Sequence, residues 1–326
     1  MSGLLTQAGV KDEAVFGTPL TVDRFFEYTT EGIQLDVQRI ESSALRATTR
    51  VQRSDRFAVN RKGAAGAFTT EVLTKGFGWW LKHMLGTVAT AGPTDLKYTH
   101  TGTVASLAGK SFCLQVNRPF VDGSAQAFTY EGGKVASWEL SNSVDGLLML
   151  TLNLDFEDET TASALATASY PTATELFSFV GGAVTVGGAS FDVVRDVTVT
   201  CDNGLKTDRH FIRSSSLKKE QLEAALRNIT FSLTADWDSM AQYNRYVSAT
   251  AAGTLAQIVL TWQGPTLIGT ASYPTFTVTI PAARFDGSTP NVGGPDLLEQ
   301  SLSGRALFDG TNSAITVAYG TADATP

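Results

Sequence analysis

The residues best able to do chemistry in this chain are three histidines and two cysteines, and their spacing forms no catalytic or metal-binding motif. His83, His100 and His210 lie far apart, and none stands at ligand spacing from another histidine or from a carboxylate. Cys113 and Cys201 lie one in each half of the chain, again without metal-ligand spacing. We therefore interpret both cysteines as small buried thiols, and His83, which lies inside a predicted helix, as a structural residue.

Acidic residues offer one further possibility, a site for a hard cation. Glu157, Asp158 and Glu159 follow a predicted strand, and carboxylates are the ligands that such cations prefer. An acidic strand end explains the same run, and we favour that interpretation; Asp202-Asn203-Gly204 has the composition of a turn. The nucleophile elbow, the phosphate loop, the dinucleotide fingerprint and the zinc-binding helix motif are all missing from the sequence. The sequence therefore predicts a protein that is not an enzyme and needs no cofactor or metal.

The composition indicates a folded protein with few charges on its surface. Of the 326 residues, 43% are hydrophobic and 17% are charged, and the formal net charge is −7. Soluble domains usually carry about a quarter charged residues, so we expect partners to cover part of this surface. The acidic balance disfavours DNA binding through phosphate neutralisation. Neither a membrane span nor the apolar run of a signal peptide is visible, so we expect a protein made and kept in a cytoplasm.

One stretch departs from the acidic balance. Between residues 39 and 62, seven basic side chains face only two acidic ones, Glu41 and Asp55. We interpret the stretch as a long hairpin or loop, which is either simply solvated or docks on an acidic face of another subunit. Its basic residues are Arg39, Arg46, Arg50, Arg53, Arg56, Arg61 and Lys62.

Alternating apolar residues predict at least nine strands and two or three short helices, an α+β pattern in which strands dominate. The turn residues between Asn142 and Gly146 predict a β-hairpin. A short helix is predicted over residues 216–226, with Ser216 as its cap. The clearest strands are predicted at residues 33–37, 111–116, 134–140, 147–156, 183–186, 196–203, 228–235, 255–262, 274–281 and 314–320.

The best-defined helix is predicted over residues 74–86, with Thr74 as its N-cap and Gly86 at its end. Apolar side chains on one side of this helix predict a face that packs over a sheet. They are Phe77, Trp80, Leu81, Met84 and Leu85. A second helix follows the strand at residues 228–235, and its predicted packing face consists of Met240, Tyr243 and Val247.

These two strand–helix segments indicate an internal repeat. Similar residues pair at a constant offset of 163, which is half of the chain: Phe68 with Phe231, Phe77 with Met240, Trp80 with Tyr243, and Met84 with Val247. We therefore predict an N-terminal arm (1–30), a first β domain (31–160), a linker (161–175) and a second β domain (176–326). Two similar β-rich halves with little that looks catalytic favour an assembly subunit over an enzyme.

Three segments carry a family resemblance. The opening GVKDEAVFGTPLTVDRFFEY resembles the start of the tail tube, or major tail, proteins of long-tailed bacteriophages. TKGFGWWLKHMLG resembles their single helix ending in Leu-Gly, and FTVTIPAARFDGSTPNVGGPDLLEQSLSGRALFDG resembles their C-terminal block. The order of these segments, over about residues 8–320, is more specific than any one of them.

The resemblance implies packed sheets, β-sandwich or barrel-like, each domain flanked by a short helix. It further implies that sheets of neighbouring subunits join into rings, which stack into a hollow tube for DNA ejection. The protein would then be part of the virion tail, assembled in the host cytoplasm, in contact with itself and with the tape measure, tail terminator and baseplate or tip proteins. DNA would pass through without specific binding. The basic stretch lies where such proteins carry a long loop that reaches the adjacent ring.

The resemblance also bears on the size of the ring. Tube rings of this class are six-fold in domains, so a chain with two tube domains would close the ring as a trimer acting as a pseudo-hexamer. A chain with one tube domain would close it as a hexamer. Either ring has closed cyclic symmetry.

Two other functions stay open from the sequence. A head–tail connector component or a decoration protein would form single rings or monomers instead of stacked tubes. A carbohydrate-binding or hydrolytic β domain would expose Trp79, Trp138 or Trp262 as a platform for sugars. The paired carboxylates that a glycosidase requires cannot be identified in the sequence.

Overall fold

The computed structural model describes residues 2–248, 250, 253–287 and 289–326. In this part of the chain, 21 strands are accompanied by only two short α-helices and two turns of 3-10 helix, Ser2–Leu5 and Phe179–Gly181. Every strand pairing there is antiparallel, and no sheet closes on itself. The predicted β-dominated α+β fold class is therefore confirmed.

The strands up to residue 160 build the first half of the fold. They are β1 (Ala8–Asp12), β2 (Arg24–Phe26), β3 (Thr30–Glu31), β4 (Gln34–Glu41), β5 (Phe57–Glu71), β6 (Gly86–Thr94), β7 (Lys97–Val104), β8 (Phe112–Asn117), β9 (Ala127–Ser143), β10 (Met149–Phe156) and β11 (Asp158–Thr160). Helix α1 (Gly78–Leu85) lies between β5 and β6. The predicted hairpin at Asn142–Gly146 is present, because β9 and β10 pair across it.

The remaining strands build the second half. They are β12 (Gly182–Val186), β13 (Ala189–Ser190), β14 (Val194–Asp202), β15 (Leu205–Lys206), β16 (Leu222–Glu223), β17 (Asn228–Asp236), β18 (Ala256–Gln263), β19 (Thr275–Gly287), β20 (Glu299–Ala306) and β21 (Thr316–Thr321). Helix α2 (Ala241–Tyr246) follows β17, and it begins 163 residues after α1.

The same order of strand pairing occurs in both halves. In the first half, β4 pairs with β5, β5 with β10, β10 with β9, and β9 with both β8 and β11. In the second half, β14 pairs with β17, β17 with β20, β20 with β19, and β19 with both β18 and β21. Further out, β8 pairs with β1, and β18 pairs with β12. The chain thus contains two similar arrangements of strands in succession, which we call the first and second repeats.

The two repeats share one sheet and one core. Strand β9 of the first repeat pairs with β14 of the second, and β21 near the C-terminus pairs with β7. A single cluster of buried hydrophobic residues extends through both repeats. Part of the predicted N-terminal arm also belongs to this structure, because β1 lies between β2 and β8 and its Ala8 and Val10 are fully buried. The boundaries at residues 30, 160 and 175 stay predictions.

Helix α1 packs at the centre of the first repeat. All five residues of its predicted packing face are at most 3% exposed. The ring of Trp80 lies 5.9 Å from that of Phe68 and 5.8 Å from that of Phe112. The helix ends where predicted, at Gly86 in the left-handed conformation with φ of 110°. It begins later than predicted, because the Thr74 hydroxyl accepts the backbone N–H of Glu175 instead of capping the helix.

Two other helix predictions need correction. Helix α2 has only six residues, so Met240 and Val247 fall on its caps, where they are 50% and 48% exposed. Tyr243 is half-buried, with its ring edge-on to Trp237. The helix predicted over residues 216–226 is absent. That segment is extended, because β16 pairs with β15 and because Lys218 turns inward to a buried carboxylate.

Candidate assembly and conduit surfaces

The side chains best able to do chemistry are buried in the core. His83 is buried, and its Nε2 lies 2.7 Å from Asp12 Oδ1. Burial lowers the pKa of His83 despite this hydrogen bond, whereas the pKa of Asp12, which burial alone would raise, is lowered by hydrogen bonds from His83 and Lys82. His100 is also buried, between the Thr90 hydroxyl at 2.8 Å and the backbone carbonyl of Asp323 at 3.0 Å. These contacts hold neighbouring segments of the fold together.

The cysteines and the candidate sugar platforms are equally enclosed. Cys113 and Cys201 are free, buried thiols, and burial raises the pKa of both, so neither is poised as a nucleophile. Trp79, Trp138 and Trp262 are all buried, which leaves no exposed ring among them for a sugar. Throughout residues 2–248, 250, 253–287 and 289–326, no group of three or more metal-ligating side chains could hold an ion.

A band of mostly small polar side chains extends across the outer face of the sheet. Strands β5, β10, β9, β14, β17 and β20 lie side by side in this order, so residues in register share a face. One outward row across the six strands consists of Thr69, Thr151, Glu139, Thr200, Thr230 and Arg305. A second outward row contains Ser141, Thr198, Ser232 and Ser303 and continues to Met149 on β10 and Glu71 on β5. We call these two rows the polar face.

The core lies directly behind the polar face. The row between the two polar rows points inward and consists of Leu150, Leu140, Val199 and Phe231, all buried. Hydroxyl groups of neighbouring strands bond across the polar face, at 3.2 Å between Thr69 and Thr151 and at 2.6 Å between Thr200 and Thr230. The only cation in the two rows is Arg305, whose Nε lies 3.0 Å from Asp286 Oδ2. The result is a smooth surface of hydroxyl groups with little positive charge.

The predicted basic stretch is a projecting two-stranded ribbon, the basic hairpin (residues 39–62). The distal parts of β4 and β5 form its two strands, and residues 42–56 connect them. Its net charge is +5, seven basic against two acidic residues, so the remaining residues of the chain carry −12. Leu45, Val51 and Val59 are each more than 80% exposed. An isolated two-stranded ribbon is at best marginally stable in water, so this one is expected to gain a partner.

Most of the basic side chains in this hairpin are available for contacts outside the chain. Arg53 pairs with Asp55, Lys62 pairs with Asp158, and Arg61 Nε donates to Gln38 Oε1 at 2.7 Å. Within the described ranges, the other four guanidinium groups make no hydrogen bond or ion pair; they belong to Arg39, Arg46, Arg50 and Arg56.

The base of the hairpin is held by an extended segment that we call the strap (residues 205–227). The backbone N–H of Lys62 donates to the carbonyl of Ser216 at 3.1 Å. Lys218 Nζ lies 2.7 and 2.8 Å from the two carboxylate oxygens of Asp155, and Gln221 Nε2 lies 2.7 Å from Asp155 Oδ2. Burial raises the pKa of Asp155, and Lys218 opposes that rise. Sequence periodicity does not reveal this buried ion pair.

Several carboxylates lie close together near the base of the basic hairpin. Burial, together with the nearby charges of Asp158, Glu13 and Glu157, raises the pKa of Glu131 to about 7, while Lys62 acts in the opposite direction. Glu13 has a fixed structural role, because its carboxylate accepts the backbone N–H groups of Gly17 at 3.1 Å and Gly132 at 2.7 Å.

Comparison with known protein families gives a match that covers most of the chain. A family model described as phage tail tube protein matches residues 3–306. The chain belongs to this family. It is therefore a structural subunit of the phage tail tube, and the resemblance seen in three sequence segments is confirmed. No curated protein matches the chain.

Membership in the tail tube family establishes where the subunit is located and with which class of proteins it associates. The family places the subunit in the tail of the virion, where it associates with itself to form a tube and with other tail proteins. Nothing observed favours a connector, decoration or carbohydrate-binding role. No helix in the described part of this tail tube subunit is long and apolar enough to span a membrane.

The polar face was not predicted from the sequence, although a signal for it exists. Ser, Thr and Asn alternate with apolar residues along several strands, as in Thr198-Val199-Thr200 and Thr230-Phe231-Ser232. Such alternation predicts one solvated face per strand. Only the register between strands shows that these solvated faces join into one surface across both repeats.

Proposed function

We propose that three copies of this tail tube subunit close each ring, so that six repeats form the wall of a hollow conduit for DNA ejection. The observation that carries the proposal is the polar row from Thr69 to Arg305, which crosses both repeats without interruption. One chain thereby supplies two adjacent segments of a ring wall. A ring of six chains would be the alternative, and it would contain twelve repeats.

The polar face lines the conduit in this proposal. Double-stranded DNA carries one negative charge per ~1.7 Å of its axis, and proteins grip it by neutralising phosphates with lysine and arginine. The polar face offers hydroxyl groups and the carboxylate of Glu139, with Arg305 as its single cation. Ordered cations that could hold successive phosphates are lacking in the two rows, so DNA slides through without specific binding.

The basic hairpin makes the contact between stacked rings. Its charge of +5 faces a remainder of −12 on each chain, so a hairpin that reaches a neighbouring ring meets an acidic surface. The four unpaired arginines would form ion pairs there, and the exposed Leu45, Val51 and Val59 would become buried. The contacts between rings would consequently weaken as salt concentration rises.

The remaining parts of the proposal follow from the role of a tail tube. The stacked rings would contact a tape measure protein inside, a tail terminator at one end, and baseplate or tip proteins at the other. Assembly would take place in the host cytoplasm. The subunit needs no cofactor and performs no catalysis in this role.

The deciding experiment is negative-stain electron microscopy of the purified protein at high concentration, with mass photometry of the same sample. Hollow tubes or stacked rings with the mass of three chains per ring are expected. A ring of six chains would refute the trimer and leave the tube. Isolated single rings or a persistent monomer at every concentration would contradict the tube and favour a connector or decoration protein.

Charge reversal tests the role of the basic hairpin separately. Arg50→Glu with Arg53→Glu should leave single rings intact but shorten the tubes and lower the salt concentration at which they fall apart. Lys206→Glu with Lys219→Glu, on exposed residues of the strap, changes the net charge equally and is the matched control. Tubes of unchanged length and salt stability in the hairpin variant would refute the contact between rings.

A further inference from the structure

A buried histidine joins three separate segments of the first repeat. His83 lies in the last turn of α1, and its side chain is only 1% exposed. The centre of its ring lies 4.1 Å from that of Trp79 and 4.9 Å from that of Phe112, which begins β8. Its Nε2 lies 2.7 Å from Asp12 Oδ1, at the end of β1. This one ring therefore connects α1 to both β1 and β8.

The hydrogen bonds of the ring show which of its protonation states fits this place. Asp12 is ionised at neutral pH, because hydrogen bonds from His83 and Lys82 lower the pKa of its carboxyl group although burial alone would raise it. An ionised carboxylate only accepts hydrogen bonds, so His83 Nε2 carries the hydrogen. Nδ1 is the nitrogen left to take a second proton, and in the described part of the chain it is buried without a hydrogen bond of normal geometry. The site therefore fits the neutral ring.

The charges next to the ring also disfavour a second proton. Lys82 Nζ bonds the other oxygen of Asp12 at 2.6 Å, so a charged His83 would share one carboxylate with a lysine. A third cation, Lys110 in the turn before β8, is close enough for Lys82 to lower its pKa, in addition to the larger effect of burial. Burial has the largest effect on His83 and lowers its pKa. Asp12 and the backbone carbonyl of Lys110 act in the opposite direction, and Lys82 lowers the pKa further.

The other strands that pack against α1 carry their charged groups elsewhere. β6 contains no charged residue, and Lys97 and His100 of β7 lie toward the end of the β6–β7 ladder away from α1. On β9, Lys134 bonds to the strap, Glu131 lies among the carboxylates near the base of the basic hairpin, and Glu139 is on the polar face. Asp12 is thus the carboxylate that meets His83.

We propose that His83 is an acid-sensitive latch, which as a neutral ring holds the end of β1 against α1 and when protonated releases the N-terminal segment formed by β1 and β2. Both strands are short. β1 has five residues and joins the sheet through β8, and β2 has three residues and pairs with β1. Short ladders of this kind can open without unfolding of the whole domain. The latch is a property of the subunit beyond its role in the tail tube.

The direction of the pH dependence follows from burial of the ring. Because folding lowers the pKa of His83, the stability that its neutral form contributes is complete above the ordinary pKa of 6.5 and is lost as the pH falls below that value. An open state with the ordinary pKa gains up to tenfold in population for each pH unit below 6.5, which limits the gain to ~30-fold at pH 5.

Hydrogen exchange of the purified full-length protein at pH 7.5 and pH 5 measures this opening. After correction for the intrinsic exchange rate at each pH, we expect segment 8–12 to exchange ~10- to 30-fold faster at pH 5. Segment 149–156, the central strand β10, should not change. No acceleration in segment 8–12, or equal acceleration in both segments, would overturn the latch.

Replacement of the histidine separates its titration from that of the carboxyl groups. In His83→Gln the amide can still donate to Asp12 but cannot gain a proton, so the acceleration at pH 5 should fall below ~2-fold. His210→Gln is the matched control, because it removes a half-buried histidine of the strap and should keep the acceleration of the wild type. Acceleration that persists in His83→Gln, or that is lost in His210→Gln, would overturn the proposal.

Nuclear magnetic resonance of the three histidine rings keeps the test decisive if His83→Gln does not fold. In the wild-type protein, His83 should be neutral with hydrogen on Nε2 at pH 7.5, and it should titrate below pH 6.5 together with the opening of β1. A ring that is already protonated at pH 7.5, or one that titrates with no change in the exchange of β1, would overturn the latch. Neither result would affect the tail tube function.

Discussion

Replacing Lys218 by methionine tests whether the strap depends on its buried ion pair. The side chains of Lys218 and Asp155 are only 6% and 10% exposed, so solvent screens their interaction little. Methionine keeps the apolar stem of the lysine and removes its charge, which leaves Asp155 with Gln221 as its remaining side-chain partner. Breaking a buried pair by removing one partner costs about 3–5 kcal/mol, because the other charge stays buried without compensation. We expect a loss of that size in the free energy of unfolding at pH 7.5.

The pH dependence of this loss has a defined sign. Burial already raises the pKa of Asp155, and removal of Lys218 raises it further. The penalty in Lys218→Met is therefore present above that pKa and shrinks as the pH falls and the carboxyl group becomes protonated. Urea denaturation of the unassembled protein between pH 5 and pH 8 measures both the size of the loss and its decline toward acid.

The double variant Lys218→Met with Asp155→Asn separates the ion pair from general damage to packing. Replacing both partners by uncharged groups of similar size is often close to neutral, so most of the stability should return. A loss below about 1 kcal/mol in the single variant, or a double variant no better than the single one, would refute the reasoning. Because Lys62 bonds to the strap at Ser216, the single variant should also assemble less well than the double variant.

Three further predictions test other parts of the structure. Glu131→Gln should stabilise the protein by about 1 kcal/mol at pH 8, and this effect should shrink as the pH falls and vanish only below pH 4.5. The wild-type carboxyl group has its pKa raised from 4.5 to about 7 in the folded protein, so the penalty for ionising it on folding builds up between these two values; thermal denaturation at pH 8 and pH 4 would show it, and equal effects would contradict it. Thr151→Lys with Thr200→Lys places cations beside Glu139 on the polar face, so tubes should still form but retain DNA at low salt, which an ejection assay or filter binding would detect. Met84→Ala should cost about 2–5 kcal/mol, whereas Val247→Ala, at the corresponding position of the second repeat, should change stability by no more than ~0.5 kcal/mol, as measured by urea denaturation.

The parts of the fold that could be predicted from the sequence are those whose pattern lies within a single helix or strand. Alternation predicted the strands that became β10, β14, β17 and β18, because each has one buried and one largely solvated face. It also predicted β8, although all six residues of that strand are buried. Gly86 predicted the end of α1 for an equally local reason, its left-handed conformation. In contrast, the Gly86–Thr94 strand has small residues and a proline without apolar alternation, and only its pairing with β7 makes it a strand.

The prediction of a helix over residues 216–226 failed for a long-range reason. The composition SLKKEQLEAAL is typical of a helix, but Lys218 and Gln221 satisfy the buried Asp155 of a distant strand. A buried carboxylate without these partners would destabilise the fold by more than the helix propensity of a few residues could stabilise it. The polar face was hidden for a related reason, since its continuity depends on the register among six strands.

The two repeats differ most in the connection that follows their first sheet strand, and this difference limits how rings can stack. Residues 42–56 connect β4 to β5 and project as the tip of the basic hairpin, whereas residues 203–227 connect β14 to β17 and contain the strap that holds the hairpin base. Equivalent connections thus form the tip of the basic hairpin in one repeat and the strap that holds the base of that hairpin in the other. A ring of three chains would have a wall close to six-fold in repeats but only three basic hairpins. Its contacts with the next ring would then be three-fold, so successive rings could engage only in orientations that differ by 120°, a restriction that six identical single-repeat chains would not impose.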